Sequence, residues 1–107
     1  MSSTMLQVIH YLLHISLPVI AARLLFHKTW SVSLLFAFAT MIIDLDHLLA
    51  TPVFDASRCS IGFHPLHSYA AISVYVLLLM PLKSRMAAVG LLLHILVDGI
   101  DCLLKEI

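Results

Sequence analysis

Charged side chains are scarce in this chain. Six basic and six acidic residues make up 11% of its 107 residues, whereas 62% of the residues are hydrophobic. A small soluble domain has a large surface for its volume and needs more polar residues than this to cover it. The lysines and arginines form no basic stripe of the kind that binds nucleic acid. The composition therefore predicts one membrane-embedded domain, with lipid as its surroundings and no nucleic-acid partner.

Four apolar segments approach the ~20 residues that a helix needs to cross a bilayer. They cover residues of about 5–26, 30–50, 65–82 and 86–104. Helices satisfy their own backbone hydrogen bonds, which lipid cannot do, so helical spans are expected. Two connections are very short, and one longer loop runs from Thr51 to Phe63. This pattern predicts an all-α, integral membrane, up-down four-helix bundle.

The distribution of lysine and arginine predicts the orientation of this bundle, because cytoplasmic loops are enriched in both residues. Four of the six lie at the end that holds the two short turns: Arg23, Lys28, Lys83 and Arg85. The other end has Arg58 and Lys105. We therefore expect the short turns in the cytoplasm and the long loop on the outer face.

Seven histidines are unusual in so short an apolar chain. Because successive helices alternate in direction, six of them map to the outer half of the membrane, together with the embedded aspartates. Only His27 falls at the other end, where we expect it to be solvated. Each predicted helix carries two polar residues three or four positions apart, which places them on one face. These pairs are His10/His14, Asp44/His47, His64/His67 and His94/Asp98.

Ionisable groups at this depth cost at least ~2.5–3.5 kcal/mol each, so they are candidates for function. A divalent metal offsets that cost by neutralising carboxylates and binding neutral imidazoles. Mixed His/Asp ligation suits Zn²⁺, Mn²⁺ or Fe²⁺, of which we expect Zn²⁺, and so many ligands allow one or two ions. We expect Asp46 and Asp101 to orient imidazoles. The predicted metal ligands are His10, His14, Asp44, His47, His64, His67, His94 and Asp98.

The order of these residues resembles that of the bacterial membrane-bound, metal-dependent putative hydrolases, and most closely a small four-helix branch of unknown function. The matching motifs are an early helical His14, the segment Asp44-Leu45-Asp46-His47, the segment His64-Pro65-Leu66-His67-Ser68, and His94 through Asp98. That superfamily is distantly similar to zinc-dependent phospholipase C, which cleaves phosphodiesters.

The resemblance implies a hydrolase in a bacterial inner membrane, with its metal site toward the periplasm. The implied substrate is a lipid or lipid-linked phosphoester, attacked by metal-activated water. Asp46 or Asp98 is then the expected general base. The third motif lacks the arginine that the superfamily carries there, so Arg58 is the expected phosphate-binding cation.

Two other functions remain open at this point: metal transport or sensing, and a structural metal site without catalysis. The apolar inner halves of the helices argue against a transport pathway. Cys59 and Cys102 belong to the same outer end and form either a disulfide, which an oxidising compartment permits, or two free thiols. Self-association is expected because four short helices bury little surface.

Overall fold

A computed structural model of the chain describes residues 2–51 and 58–106. Residues 52–57 of the predicted long loop lie outside the described residues. The described residues form helices and no strand, as the composition predicts. Four α-helices are present: α1 (Ser3–Leu25), α2 (Trp30–Ala39), α3 (Tyr69–Leu77) and α4 (Leu82–Glu106). Three segments are 3₁₀ helices: His27–Thr29, Thr40–Leu49 and Pro65–His67.

Three helical stretches of the described chain are long and apolar enough to cross a membrane. They are Thr4–Leu25, His27–Leu49 and Leu82–Glu106. The third predicted span, over 65–82, differs from this expectation, because α3 has only nine residues. At 1.5 Å per residue it is about 13 Å long, less than half of the ~30 Å hydrocarbon core.

Helix α3 is short because both of its ends are capped. At its start, the Ser68 side chain accepts a hydrogen bond from the Ala71 N–H at 3.2 Å, a common helix-starting contact. Ser68 therefore begins α3 after His67, and not at Pro65 as predicted.

The other end of α3 is capped by the first turn of α4. The Ser84 hydroxyl donates to the Leu78 carbonyl at 2.7 Å, and Arg85 donates to the Leu79 and Met80 carbonyls at 2.8 and 3.1 Å. These bonds satisfy carbonyls that a helix leaves unpaired where it ends. Lys83, Ser84 and Arg85, which we predicted to be a turn, are helical, and α4 begins at Leu82 rather than near residue 86.

Helix α2 continues into a 3₁₀ segment, Thr40–Leu49, that carries the second polar motif. A 3₁₀ run of ten residues is long, since such segments rarely exceed three or four residues. With three residues per turn, positions i and i+3 are eclipsed, so Asp44 and His47 lie on the same side. The buried Asp46 lies between them and turns inward.

Helix α4 is the central element and packs against α1, α2 and α3. Its closest approach to α2 is at Gly90, where an added Cβ would lie 3.0 Å from the Ala37 Cα atom. A disulfide between Cys59 and Cys102 joins the long loop to the C-terminal part of α4. These contacts hold the polar ends of α1, α2 and α4 side by side.

Candidate metal centre

The predicted ligands lie together toward one end of the helices, in what we call the polar layer, and four of them converge at its centre. The ligand atoms of Asp44, His67, His94 and Asp98, which we call the central group, all lie within 4.8 Å of one another. His67 Nε2 is 2.9 Å from Asp98 Oδ2 and 3.3 Å from Asp44 Oδ1. His94 Nε2 is 3.0 Å from Asp44 Oδ1 and 3.3 Å from Asp98 Oδ2. Two imidazoles and two carboxylates thus surround one point.

The chemistry of the central group fits a metal cation. Within the described residues, His67 Nε2 and Asp98 Oδ2 are buried and make no hydrogen bond, despite their short separation. Such unsatisfied polar atoms are rare in protein interiors, because burial removes them from water without replacing its hydrogen bonds. A divalent cation would satisfy both atoms at once, since imidazole nitrogens and carboxylate oxygens are common protein ligands of divalent metals.

Asp46 holds the His67 ring in place from the side opposite the central group. Its Oδ2 atom is 2.9 Å from His67 Nδ1 and accepts the Leu66 N–H at 2.9 Å, while its Oδ1 atom is 3.2 Å from His47 Nδ1. A carboxylate on the outer nitrogen of a histidine fixes the tautomer that leaves the inner nitrogen available to a metal. Both Asp46 oxygens are engaged, which favours this orienting role over the predicted role as general base.

A second set of ligands lies on the α1 side of Asp98. His10, His14 and Asp98 form this α1 group, again with ligand atoms within 4.8 Å. His14 Nε2 is 3.1 Å from His10 Nε2 and 3.3 Å from Asp98 Oδ1, and the His10 Nε2–Asp98 Oδ1 distance is 3.6 Å. Asp101 lies behind His10, with its Oδ1 atom 3.7 Å from Nδ1. Asp101 is on the outer side of His10, as Asp46 is of His67, but 3.7 Å is too long for a hydrogen bond, and among the described residues His10 Nδ1 is buried without one.

Asp98 belongs to both groups. Its Oδ2 atom faces the central group and its Oδ1 atom faces the α1 group. The side chain is only 5% exposed, whereas that of Asp44 is 45% exposed. A carboxylate with one oxygen directed at each of two ligand sets is suited to bridge two cations. The central group is therefore accessible to solvent on the side of Asp44.

Asp46, His47 and His64 form a third set, the loop group, whose ligand atoms also lie within 4.8 Å of one another. The rings of His47 and His64 stack at a centroid distance of 3.9 Å. Burial, followed by the nearby His47, lowers the pKa of His64, which keeps its imidazole neutral and able to bind a metal at neutral pH. We expected these histidines to join one cluster with the others, but the structure places them on the far side of Asp46.

The backbone explains why His64 and His67 separate. In a regular helix they would share a face, as we predicted. Instead His64 is extended, with φ −79° and ψ 143°, and only Pro65–His67 form a 3₁₀ turn. Gly62, at a φ of 80° that favours glycine, turns the chain so that its N–H donates to the His67 carbonyl at 3.0 Å. His67 therefore enters the central group, while His64 remains in the loop group.

The predicted phosphate-binding cation, Arg58, lies at the loop group rather than within the central group. Its guanidinium carbon is 4.7 Å from the centre of the Phe63 ring, and its charge contributes to the electrostatic environment of His64. The Arg58 carbonyl accepts a hydrogen bond from Lys105 Nζ at 3.1 Å. His27, the exception among the histidines, is exposed in its short 3₁₀ segment, as predicted.

Comparison with known proteins places this arrangement in a family. Residues 4–105 match DUF6122, described as a family of unknown function. The chain belongs to this family. No curated protein and no solved structure matches the chain. The match covers every residue of the three ligand groups, and it agrees with the predicted small branch of unknown function. The resemblance to metal-dependent hydrolases stays a prediction.

Several residues that support the site were not predicted from the sequence. Tyr75 donates its hydroxyl to the Leu66 carbonyl at 2.8 Å and so holds the backbone beside His67. Lys105 contacts Asp101 Oδ2 at 2.8 Å and links that carboxylate to the loop. The Asp101–Lys105 contact has a sequence signal, because residues four apart share a helical face. The Tyr75 contact has none, since it depends on where the loop before α3 lies.

Proposed function

We propose that this protein is a membrane-embedded, metal-dependent hydrolase that acts on a lipid or lipid-linked phosphoester. The observation that carries the proposal is the shared carboxylate of Asp98, which has one oxygen toward each of two buried ligand groups. Two-metal sites of this general kind act on phosphoesters in many enzymes. Zn²⁺ is the metal we favour, with Mn²⁺ or Fe²⁺ as alternatives, because imidazoles and carboxylates bind all three and the proposed reaction needs no redox change.

The site's residues support such a reaction in distinct ways. Bound divalent metal would supply Lewis acidity and lower the pKa of water toward about 7. The half-exposed Asp44 leaves one side of the central group open to water and substrate. Among the described contacts, Asp44 directs only its Oδ1 atom into the central group. Its Oδ2 atom is therefore a better candidate for the proton acceptor than Asp46 or Asp98, both of whose oxygens are engaged or face the ligand groups. Arg58 provides a positive charge near the loop group for an anionic headgroup.

A lipid substrate fits the surroundings of this site. The three long apolar helices would place the polar layer within reach of lipid headgroups. The disulfide between Cys59 and Cys102 lies at the same end as the ligand groups. Because disulfides persist mainly in oxidising compartments, this supports a periplasmic position for the site in a bacterial inner membrane. The lysine and arginine distribution supports the same orientation.

Transport of metal ions through the protein is less well supported. A pathway would need polar groups that continue below the ligand groups. The buried Thr40 is polar, but its hydroxyl donates to the Ala37 carbonyl at 2.5 Å. At the same level Gly90 lets α4 close against α2. Ser33 is a further buried polar residue of α2. Among the described residues, the close packing of α4 against α2 at Gly90 nevertheless disfavours a route for ions toward the other end of the helices.

The proposal is tested with protein purified in detergent, with metal content and phosphoester turnover measured on the same samples. We expect bound zinc and hydrolysis of a phospholipid or a lipid pyrophosphate. Both should be lost in Asp98→Ala, and His67→Ala should lose turnover together with the metal of the central group. The matched control is His27→Ala, which removes a histidine outside the groups and should change neither. Metal-replete protein that hydrolyses no phosphoester would refute the hydrolase but leave the metal site standing.

A further inference from the structure

One ligand of the central group is exposed some way below the end of the helices that carries the long loop, which we call the loop end. Asp44 comes five residues, about 10 Å, before the 3₁₀ segment ends at Leu49. Asp98 comes eight residues, about 12 Å, before α4 ends at Glu106. The Asp44 side chain is nevertheless 45% exposed. In the proposed bilayer position a carboxylate at this depth is costly unless water or a polar ligand covers it.

The surface around this carboxylate is apolar. Five large apolar side chains at the same level are more than half exposed: Leu12 and Ile15 of α1, and Ile42, Leu45 and Leu48 of the 3₁₀ segment. Exposed apolar surface of this kind suits contact with the acyl chains of lipids. The region therefore offers one polar group, Asp44, within a surface that is otherwise suited to lipid chains.

A cleft separates α1 from the 3₁₀ segment at this level. The His94 ring contacts both sides, because its centroid is 4.6 Å from that of His14 and its Nε2 atom is 3.0 Å from Asp44 Oδ1. Further from the loop end α1 packs against α2, but within the described chain it has no comparable packing against the 3₁₀ segment. His94 therefore forms the floor of the cleft, and the exposed Asp44 lies at its rim.

The loop covers the central group on another side. The disulfide between Cys59 and Cys102 ties the loop to the last turns of α4, and Lys105 Nζ donates to a loop carbonyl at 3.1 Å. The same loop continues to His67, whose side chain is fully buried in the central group. It therefore runs over α4 between its C-terminal turns and the ligands. The cleft at Asp44 is the exposed side that remains for a substrate.

We propose that a membrane lipid enters this cleft sideways from the bilayer, with its phosphate headgroup at Asp44 and its acyl chains along the apolar surface. The proposal rests on the proposed hydrolase function and narrows its substrates to phosphoesters with long acyl chains, to the exclusion of water-soluble ones. Cations bound in the central group would attract the negatively charged phosphate into the cleft.

Met41 is the expected contact of an acyl chain. It precedes Asp44 by one 3₁₀ turn, so the two side chains lie on the same side of the segment, and it is partly exposed. A lipid whose phosphate lies at Asp44 has chains that continue away from the loop end, past Met41. The flexible, apolar methionine side chain suits such a contact.

The test locates the headgroup of a bound lipid. Full-length, zinc-loaded protein in nanodiscs is illuminated with a phosphonolipid that carries a diazirine on its headgroup, because the phosphorus–carbon bond resists hydrolysis. Mass spectrometry then identifies the labelled residues. We expect labels within residues 12–15 and 41–45, about 10 Å below the headgroups of the surrounding lipids. Met41→Trp should lower this labelling about tenfold, since its ring would displace about two methylene groups of the chain. The size-conserving control Met41→Leu should leave the labelling unchanged.

Two outcomes overturn lateral entry: labels confined to the loop and the helix ends, and labels in the cleft that a zinc-replete Met41→Trp protein leaves unchanged. If Met41→Trp does not fold, as judged by circular dichroism and zinc content, the label position in the wild-type protein decides alone. Turnover separates this proposal from the hydrolase. Labels in the cleft without hydrolysis of any phosphoester refute the hydrolase but leave the lipid site standing. Hydrolysis of a water-soluble phosphodiester as fast as of a phospholipid, without labels in the cleft, refutes lateral entry alone.

Discussion

Asp98 is the residue through which the two-group arrangement can be tested most sharply. It faces His67 and His94 with Oδ2, and His10 and His14 with Oδ1. Asp44 is a useful comparison, because it is also a carboxylate ligand of the central group but contacts no residue of α1 among the described contacts. Asp98→Ala should therefore weaken the binding of two ions, and Asp44→Ala the binding of one.

The expected magnitude follows from the number of ligands in each group. Structural zinc is bound with about 10 kcal/mol at the low end of measured values. Shared equally, this is about 2.5 kcal/mol per ligand in the four-residue central group and about 3.3 kcal/mol in the three-residue α1 group. The loss of one ligand then raises Kd about 70-fold and about 270-fold, respectively. Asp98→Ala should show both changes, and Asp44→Ala only the first.

The assay is a competition titration with a chromophoric zinc chelator, which resolves the affinity of each ion in turn. Asp98→Asn, which keeps the shape of the side chain and one acceptor oxygen, serves as a milder variant if Asp98→Ala unfolds. His27→Ala should titrate like the wild-type protein. Equal numbers of weakened ions in Asp98→Ala and Asp44→Ala would show that Asp98 does not bridge two groups, and the reasoning would fail.

Three further substitutions test residues around the groups. Asp101→Asn removes the negative charge 3.7 Å from His10 Nδ1 and should weaken the ion of the α1 group by about 10-fold in the same titration, the low end of the cost of losing an outer partner. Unchanged affinity would exclude this role. Cys59→Ser opens a disulfide that spans 43 residues and should lower the free energy of unfolding by up to about 4 kcal/mol in a denaturant titration in detergent. Under reducing conditions the disulfide of the wild-type protein is open as well, so the variant and the wild-type protein should then agree. Gly90→Ala should lower the thermal stability of the protein and weaken metal binding by the central group, because its methyl group would push α4 from α2. The control Gly99→Ala has open space around its added methyl group and should have little effect in thermal unfolding.

Much of the ligand set could be predicted from the sequence, because helical spacing controls which side chains meet. His10 and His14 lie in one continuous helix, and their ring centroids are 4.4 Å apart. His94 and Asp98 share a face of α4 and contact the same central point. In these cases the local periodicity of an α-helix decides the geometry, so spacing alone is sufficient.

The division into three groups could not be predicted in this way. It depends on two segments that are not α-helical. In the first, the 3₁₀ geometry after α2 turns Asp46 inward between the two groups that it contacts. In the second, the extended backbone of His64 separates it from His67. The second segment has a sequence signal that the helical spacing overrode in our prediction: His64 precedes Pro65, and the residue before a proline is disfavoured in the α region. The first has none, since the choice between α and 3₁₀ geometry depends on tertiary contacts such as the Leu66 N–H bond to Asp46.

The length of α3 connects these observations. A helix that included His64 and ran to residue 82 would place His64 and His67 on one face and direct both toward a single group. Ser68 prevents this by starting the helix after His67, and the bonds from Ser84 and Arg85 satisfy the carbonyls at its early end. In apolar surroundings such an early end is favourable only if those carbonyls are bonded. The Ser68 cap and the extended His64 before Pro65 therefore keep His64 and His67 in separate groups.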